Sequence, residues 1–122
     1  MPTITKYMFV VSMDVDPAYE DLFNEVYDTE HVPYLMKVPG VHAVERYKGV
    51  PAEIAIGGGT KPLDPPSPIY TAVYEIDDPA VLASAEWAEA VEAGRWADQV
   101  RPHTSNRSHA VFSKTFSQTR DS

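Results

Sequence analysis

The chain has 122 residues, 43% of them apolar, which is enough for one domain with its own core and not for two. Eighteen acidic against ten basic side chains leave a net charge of −8, with no Lys/Arg cluster, so neither a nucleic acid nor an anionic membrane surface is an expected partner. The absence of cysteine removes disulfides, thiolate nucleophiles and thiolate metal sites.

The N-terminal run MPTITKYMFVVSM is too short to span a bilayer and lacks a small-residue cleavage site. A cytoplasmic protein is the resulting expectation. Residues 6 to 13, rich in aromatic and β-branched side chains, predict a first strand. Asp16-Pro17 then opens a helix with a capping carboxylate and a proline at the first helical position. Tyr19, Leu22, Phe23, Val26 and Tyr27 recur at helical spacing from there. Pro33 is expected to stop the helix, because proline disfavours helical geometry at the residue before it. After the Val38-Pro39-Gly40 turn, residues 41 to 49 predict a second strand.

Residues 51 to 68 carry several prolines and the run Gly57-Gly58-Gly59, and are expected to form one long loop. A third strand follows at 69 to 76. Asp78-Pro79 repeats the helix start, and the second helix should end at Gly94. Residues 95 to 107 predict irregular structure with a short helical turn, 109 to 116 the last strand, and 117 to 122 a tail. The order β-α-β, loop, β-α-β is the ferredoxin-like α+β arrangement, an antiparallel sheet with two helices on one face.

In the first strand Tyr7, Phe9, Val11 and Met13 point one way, while Met8 and Val10 point the other. A one-sided sheet should alternate apolar with polar residues. Two helices cover one face only, so a second copy of the sheet is the expected cover and a homodimer the expected assembly.

The stretch NEVYDTEHVPYL, 24 to 35, places two ionisable groups where the apolar stripe should continue. With Phe23 as reference and 100° per residue, Glu30 falls near the middle of the cluster of Tyr19, Phe23, Val26, Tyr27 and Tyr34, and His31 lies at its edge. An unpaired buried carboxylate costs several kcal/mol, so Glu30 there needs a partner or a raised pKa. The plainer reading has Glu30 swinging out to water and His31 interacting with the helix dipole. Sequence periodicity leaves both open.

The run Tyr27-Asp28-Thr29-Glu30-His31-Val32-Pro33, with Val38-Pro39-Gly40-Val41 and a strand ending Arg46-Tyr47, resembles the EthD-like branch of the dimeric α+β barrel superfamily. The resemblance covers the first half of the chain in its motifs and the second half in its element order. It implies two sheets packed face to face as a barrel, and a pocket between the helices and the sheet of each monomer. His31 would point into that pocket. The wider superfamily includes polyketide cyclases, lactone isomerases, cofactor-free monooxygenases and haem-binding enzymes, so the resemblance fixes no single chemistry.

On this reading His31 is the candidate general base or acid, Glu30 its orienting partner, and Tyr27, one turn away, the donor to a developing oxyanion. Phe23, Tyr7, Tyr34, Tyr70 and Trp87 are the candidate substrate-binding residues. His42, His103 and His109 show no ligand spacing with His31, so no metal site is expected, and no cofactor. No nucleophile elbow is present. The expected activity is cofactor-independent proton transfer by an isomerase, cyclase or lyase on a small apolar, aromatic or carbonyl-containing metabolite. A non-catalytic ligand-binding protein and a haem or oxygen-handling protein are the alternatives.

Overall fold

The structure, a computed structural model, describes residues 5–120. Six strands are present: β1 (Tyr7–Val15), β2 (Val41–Lys48), β3 (Ala52–Ile56), β4 (Gly59–Leu63), β5 (Tyr70–Ile76) and β6 (Thr104–Ser113). Four of them form one antiparallel sheet in the order β2-β5-β1-β6, the ferredoxin-like order. Phe9, Val11 and Met13 of β1 and Tyr70, Ala72, Tyr74 and Ile76 of β5 are buried against the helices. Met8, Val10 and Val73, on the opposite face, are half-buried with no helix above them. Phe112 of β6, opposite Met8 in the ladder, is 52% exposed.

The first helical segment runs straight through Pro33. A 3₁₀ turn at Pro17–Tyr19, capped by the Asp16 side chain, leads into α1 (Glu20–Val26). A π-helical turn at Tyr27–His31 follows, and then α2 (Val32–Met36). Val32 keeps helical dihedrals (φ −62°, ψ −49°), and its N–H donates to Tyr27 O, five residues back. The expected stop at Pro33 is therefore wrong, for a physical reason. Proline removes one N–H and crowds the preceding carbonyls. Widening the turn by one residue is a known way for a helix to absorb such a local mismatch.

The second helical segment is shorter than expected. A 3₁₀ turn at Pro79–Ala83 ends at Ser84, whose backbone is extended, and α3 covers only Ala85–Ala90. Ser84 caps α3 by accepting from Trp87 N–H at 3.1 Å. A second π turn, Trp96–Val100, precedes another proline, Pro102, and packs beside the first. The last strand begins at Thr104, five residues earlier than expected.

Residues 51 to 68 are not one loop. β3 and β4 form a hairpin joined at Gly57-Gly58, both with positive φ (62° and 85°), the backbone that a two-residue hairpin turn requires. Every residue of the hairpin is exposed. Pro62 fits because this two-strand ribbon consists only of edges. Residues 117–120 have no regular structure, and the end of the expected tail lies outside the described residues. No described helix is long and apolar enough to cross a membrane.

Candidate active site

The two π turns bring His31 and Trp96 face to face. Their rings stack at 4.3 Å with a 19° interplanar angle, and Tyr27 meets both edge-on at 5.0 Å. His31 is 4% exposed. Its Nδ1 is buried without a hydrogen-bond partner among the described residues. Burial, and after it the Arg101 guanidinium, lowers its pKa from 6.5 to about 4, so the ring is neutral at neutral pH. A buried polar atom left unsatisfied costs about 1–3 kcal/mol, which is a cost a protein carries where it is useful.

His31 lines a cavity of about 150 Å³ between the helices and the sheet. Phe9, Tyr74, Trp87 and Trp96 supply its aromatic walls, and Leu35, Val91, Val11 and Met13 most of the remaining apolar surface. The Tyr27 and Tyr74 hydroxyls are 2.9 Å apart. Within such a pair one hydroxyl donates to the other, which leaves the second proton free for a ligand. Burial raises the pKa of both phenols, so both stay protonated. Behind them the Arg46 guanidinium lies 4.4 Å from the Tyr27 ring centre, held by Asp28 at 2.6 Å and Asn24 at 2.9 Å.

Glu30 is not beside the imidazole. Its carboxylate accepts from the Arg95 backbone N–H at 2.9 Å and from Arg95 Nε at 2.5 Å. Those bonds with Arg95 hold its pKa below the usual carboxylate range. The expected Glu30–His31 contact is thus replaced by a clamp between the first π turn and the chain that leads into Trp96. Gly94, at the elbow of that clamp, has φ +71°. A methyl group there would lie 2.6 Å from Glu30 Oε1 and 2.9 Å from Tyr34 Cε2. Gly94→Ala should cost about 1–2 kcal/mol from the left-handed backbone alone, and more from the crowding. Urea unfolding of the variant measures it, and an unchanged midpoint would show that the clamp holds nothing in place.

Of the expected substrate-binding residues only Trp87 lines the cavity. Phe23 is fully buried one layer behind, packed on Tyr27 at 5.6 Å and Trp96 at 6.0 Å. The Tyr70 hydroxyl donates to Glu20 away from the cavity. Tyr34 lies on the outer side of α2, 37% exposed, and Tyr7 sits at the far end of β1. These four lie outside this cavity, because helical and strand periodicity reports which face a residue shares and not how far along that face it lies. Nothing in the sequence singles out Arg101 or Arg107 as wall residues, and His109 enters only as a possible metal ligand. Tyr74, by contrast, is one of the tyrosines on elements expected to face the pocket, and it lines it.

Among the described residues, no group of three His, Asp or Glu side chains is placed to hold a metal ion. The fold is the ferredoxin-like α+β fold, and solved structures share it. An EthD family protein from Bacillus halodurans is similar over 89% of this chain and 99% of its own, with a TM-score of 0.57 and 12% identity. A variant of MhuD with two manganese protoporphyrin IX bound per active site is similar over 93% and 99%, with a TM-score of 0.61 and 10% identity. A Nitrosomonas europaea protein described as an antibiotic biosynthesis monooxygenase is similar over 90% and 99%, with a TM-score of 0.52 and 12% identity. No family model and no curated protein matches the chain.

The porphyrin of the MhuD complex supplies a test of fit. A cavity of about 150 Å³ is of the size known to admit a single six-membered ring such as benzene. A porphyrin would extend beyond a hollow of this volume, whose lining residues Arg107 and His109 are exposed.

Proposed function

We propose that the protein is a cofactor-independent enzyme that moves a proton on a small cyclic carbonyl compound, as in isomerisation, cyclisation or carbon–carbon lyase chemistry. The observation that supports this reading is the neutral His31 ring, its Nδ1 unpartnered, in an aromatic-walled cavity beside a hydrogen-bonded pair of phenols. His31 takes the proton from the carbon next to the carbonyl. The free hydroxyl of the Tyr27–Tyr74 pair donates to the oxygen on which negative charge develops. That charge in turn favours the imidazolium, which offsets the low basicity of the buried ring. Glu30 acts at one remove: through Arg95 it fixes the segment carrying Trp96, against which His31 is stacked. Trp87 forms part of the wall that holds the substrate ring.

The unit of function on this reading is a cytoplasmic homodimer. The helix-free face of the sheet carries Met8, Val10, Val73 and the exposed Phe112, a surface suited to a second sheet. The face-to-face barrel that the sequence resemblance implies would put a second sheet on this surface.

Proton exchange in deuterated water, followed by NMR over a panel of small cyclic ketones and lactones, tests the chemistry. His31→Ala should slow exchange by about a hundredfold or more. An unchanged rate would end the assignment of the proton transfer to His31. The acid limb of kcat/KM should lie toward pH 4 and not in the ordinary histidine range, as the lowered pKa of the free protein requires. A ligand carrier with the same pocket is the second reading, favoured by that low basicity. Binding without exchange by any bound compound would select it.

A further inference from the structure

The chain carries a large excess of acidic side chains, yet no described Asp or Glu lines the cavity. Two arginines and two histidines do: Arg101, Arg107, His31 and His109. Charge is therefore sorted against the average of the molecule, and the sorting is local to this hollow. With His31 neutral and Arg101 paired to Glu92, Arg107 is the uncompensated charge on this wall, and it favours a ligand of the opposite sign.

The two arginines differ in what they have left to offer. Arg101 is occupied: its guanidinium donates to both oxygens of Glu92 at 2.8 and 2.7 Å and to Val91 O at 3.1 Å. Arg107 has no hydrogen-bond or ion-pair partner among the described residues and is exposed at the cavity mouth. Its placement is also fixed by the backbone. Asn106, immediately before it, has φ +53°, and the β1–β6 ladder slips by one residue at this point. Asn106 Nδ2 holds the slip in place by donating to Asp14 Oδ2 at 3.0 Å and Ser67 Oγ at 3.1 Å. A bulge of this kind re-aims a side chain, and such bulges concentrate next to active sites. The unpartnered His31 Nδ1 in the same cavity is a second polar group without a protein partner.

We propose that the ligand of this cavity is a single-ring organic monoanion, an aromatic or cyclic carboxylate, with its ring between the aromatic walls and its carboxylate at Arg107. The ring matches the volume of about 150 Å³. The guanidinium fork matches a carboxylate through two parallel N–H donors. This names the substrate class of the site proposed above and rests on that reading of the pocket.

Benzoate and benzamide are nearly identical in shape and differ in charge, which makes them a clean pair of probes. Both tryptophans of the chain, Trp87 and Trp96, line the cavity, so intrinsic fluorescence reports its occupancy directly. Benzoate should bind the wild-type protein about tenfold more tightly than benzamide, and the difference should shrink at high ionic strength. Arg107→Gln should bring the two to parity, chiefly by weakening benzoate, and Arg107→Lys should keep part of the preference. Urea unfolding of both variants confirms that each is folded. Equal binding of the two probes by wild type, or a preference that survives Arg107→Gln, would overturn the inference and leave the pocket reading standing. If neither probe perturbs the tryptophans, the pocket reading itself fails and this inference falls with it.

Discussion

Between pH 6.5 and pH 4 the protein should lose about 3 kcal/mol of folding stability through His31 alone. The sign follows from where the protons sit. In that window the unfolded histidine binds a proton while the folded one, held neutral by burial, does not. The unfolded state takes up more protons, so stability falls as pH falls. The contribution is complete above pH 6.5 and gone below about pH 4, falling by roughly 1.4 kcal/mol for each pH unit between them. Glu20, Glu30 and Glu92 also have lowered pKa values, but they act below the ordinary carboxylate range and so at the acid edge of this window. His31→Phe isolates the effect. A phenyl ring keeps the stack on Trp96, cannot titrate, and removes the unpartnered nitrogen. Urea unfolding across the pH range should show a flat wild-type-minus-variant difference above pH 6.5 and a steep one below. Parallel curves for the two proteins would mean that folding does not lower the His31 pKa.

Trp96→Ala should be the most damaging single truncation at the site, at about 3–5 kcal/mol. Trp96 is 3% exposed and touches Phe23, Tyr27 and His31. It packs the second π turn against the first, so its loss leaves a void between two segments otherwise joined by the polar clamp of Arg95 with Glu30 and Glu25. The same substitution should let water reach the imidazole and carry the His31 pKa back toward 6.5, which NMR titration of the ring detects. A loss below about 1 kcal/mol with an unmoved pKa would show that the stacked wall contributes neither packing nor desolvation.

The arrangement of strands and helices was legible because it rests on composition and short-range signals. β-branched runs, Asp-Pro helix starts and polar breaks appear where the structure has strands, capped turns and loops. The hairpin at β3 and β4 was legible in principle as well. Gly57-Gly58 between two short runs is a hairpin signal, masked by the prolines around it.

The site was half legible. A 100° step put Glu30 at the centre of the apolar stripe and His31 at its rim, whereas His31 is buried and Glu30 reaches sideways to Arg95. The π turn accounts for the exchange. Its bonds close one residue later than those of an α-helix, so each step advances by less than 100°. That lag, accumulated over Tyr27–His31, swings His31 toward the centre and Glu30 past it. A helical wheel carries no information about such a turn. Arg107 was hidden for a similar reason: its aim depends on one left-handed residue and a slipped ladder inside a polar stretch that lacks any alternating pattern.

The wide turn at Tyr27–His31 also bears on how this chamber could arise. An α-helix that gains or loses a residue rotates everything beyond it by about 100°. A chain one residue shorter between Tyr27 and His31 could return to regular helix, and its imidazole would then take the position that a 100° step puts at the centre of the apolar stripe. The wide turn is thus a one-residue insertion absorbed locally: it keeps the imidazole inward and pushes the added carboxylate of Glu30 out to Arg95.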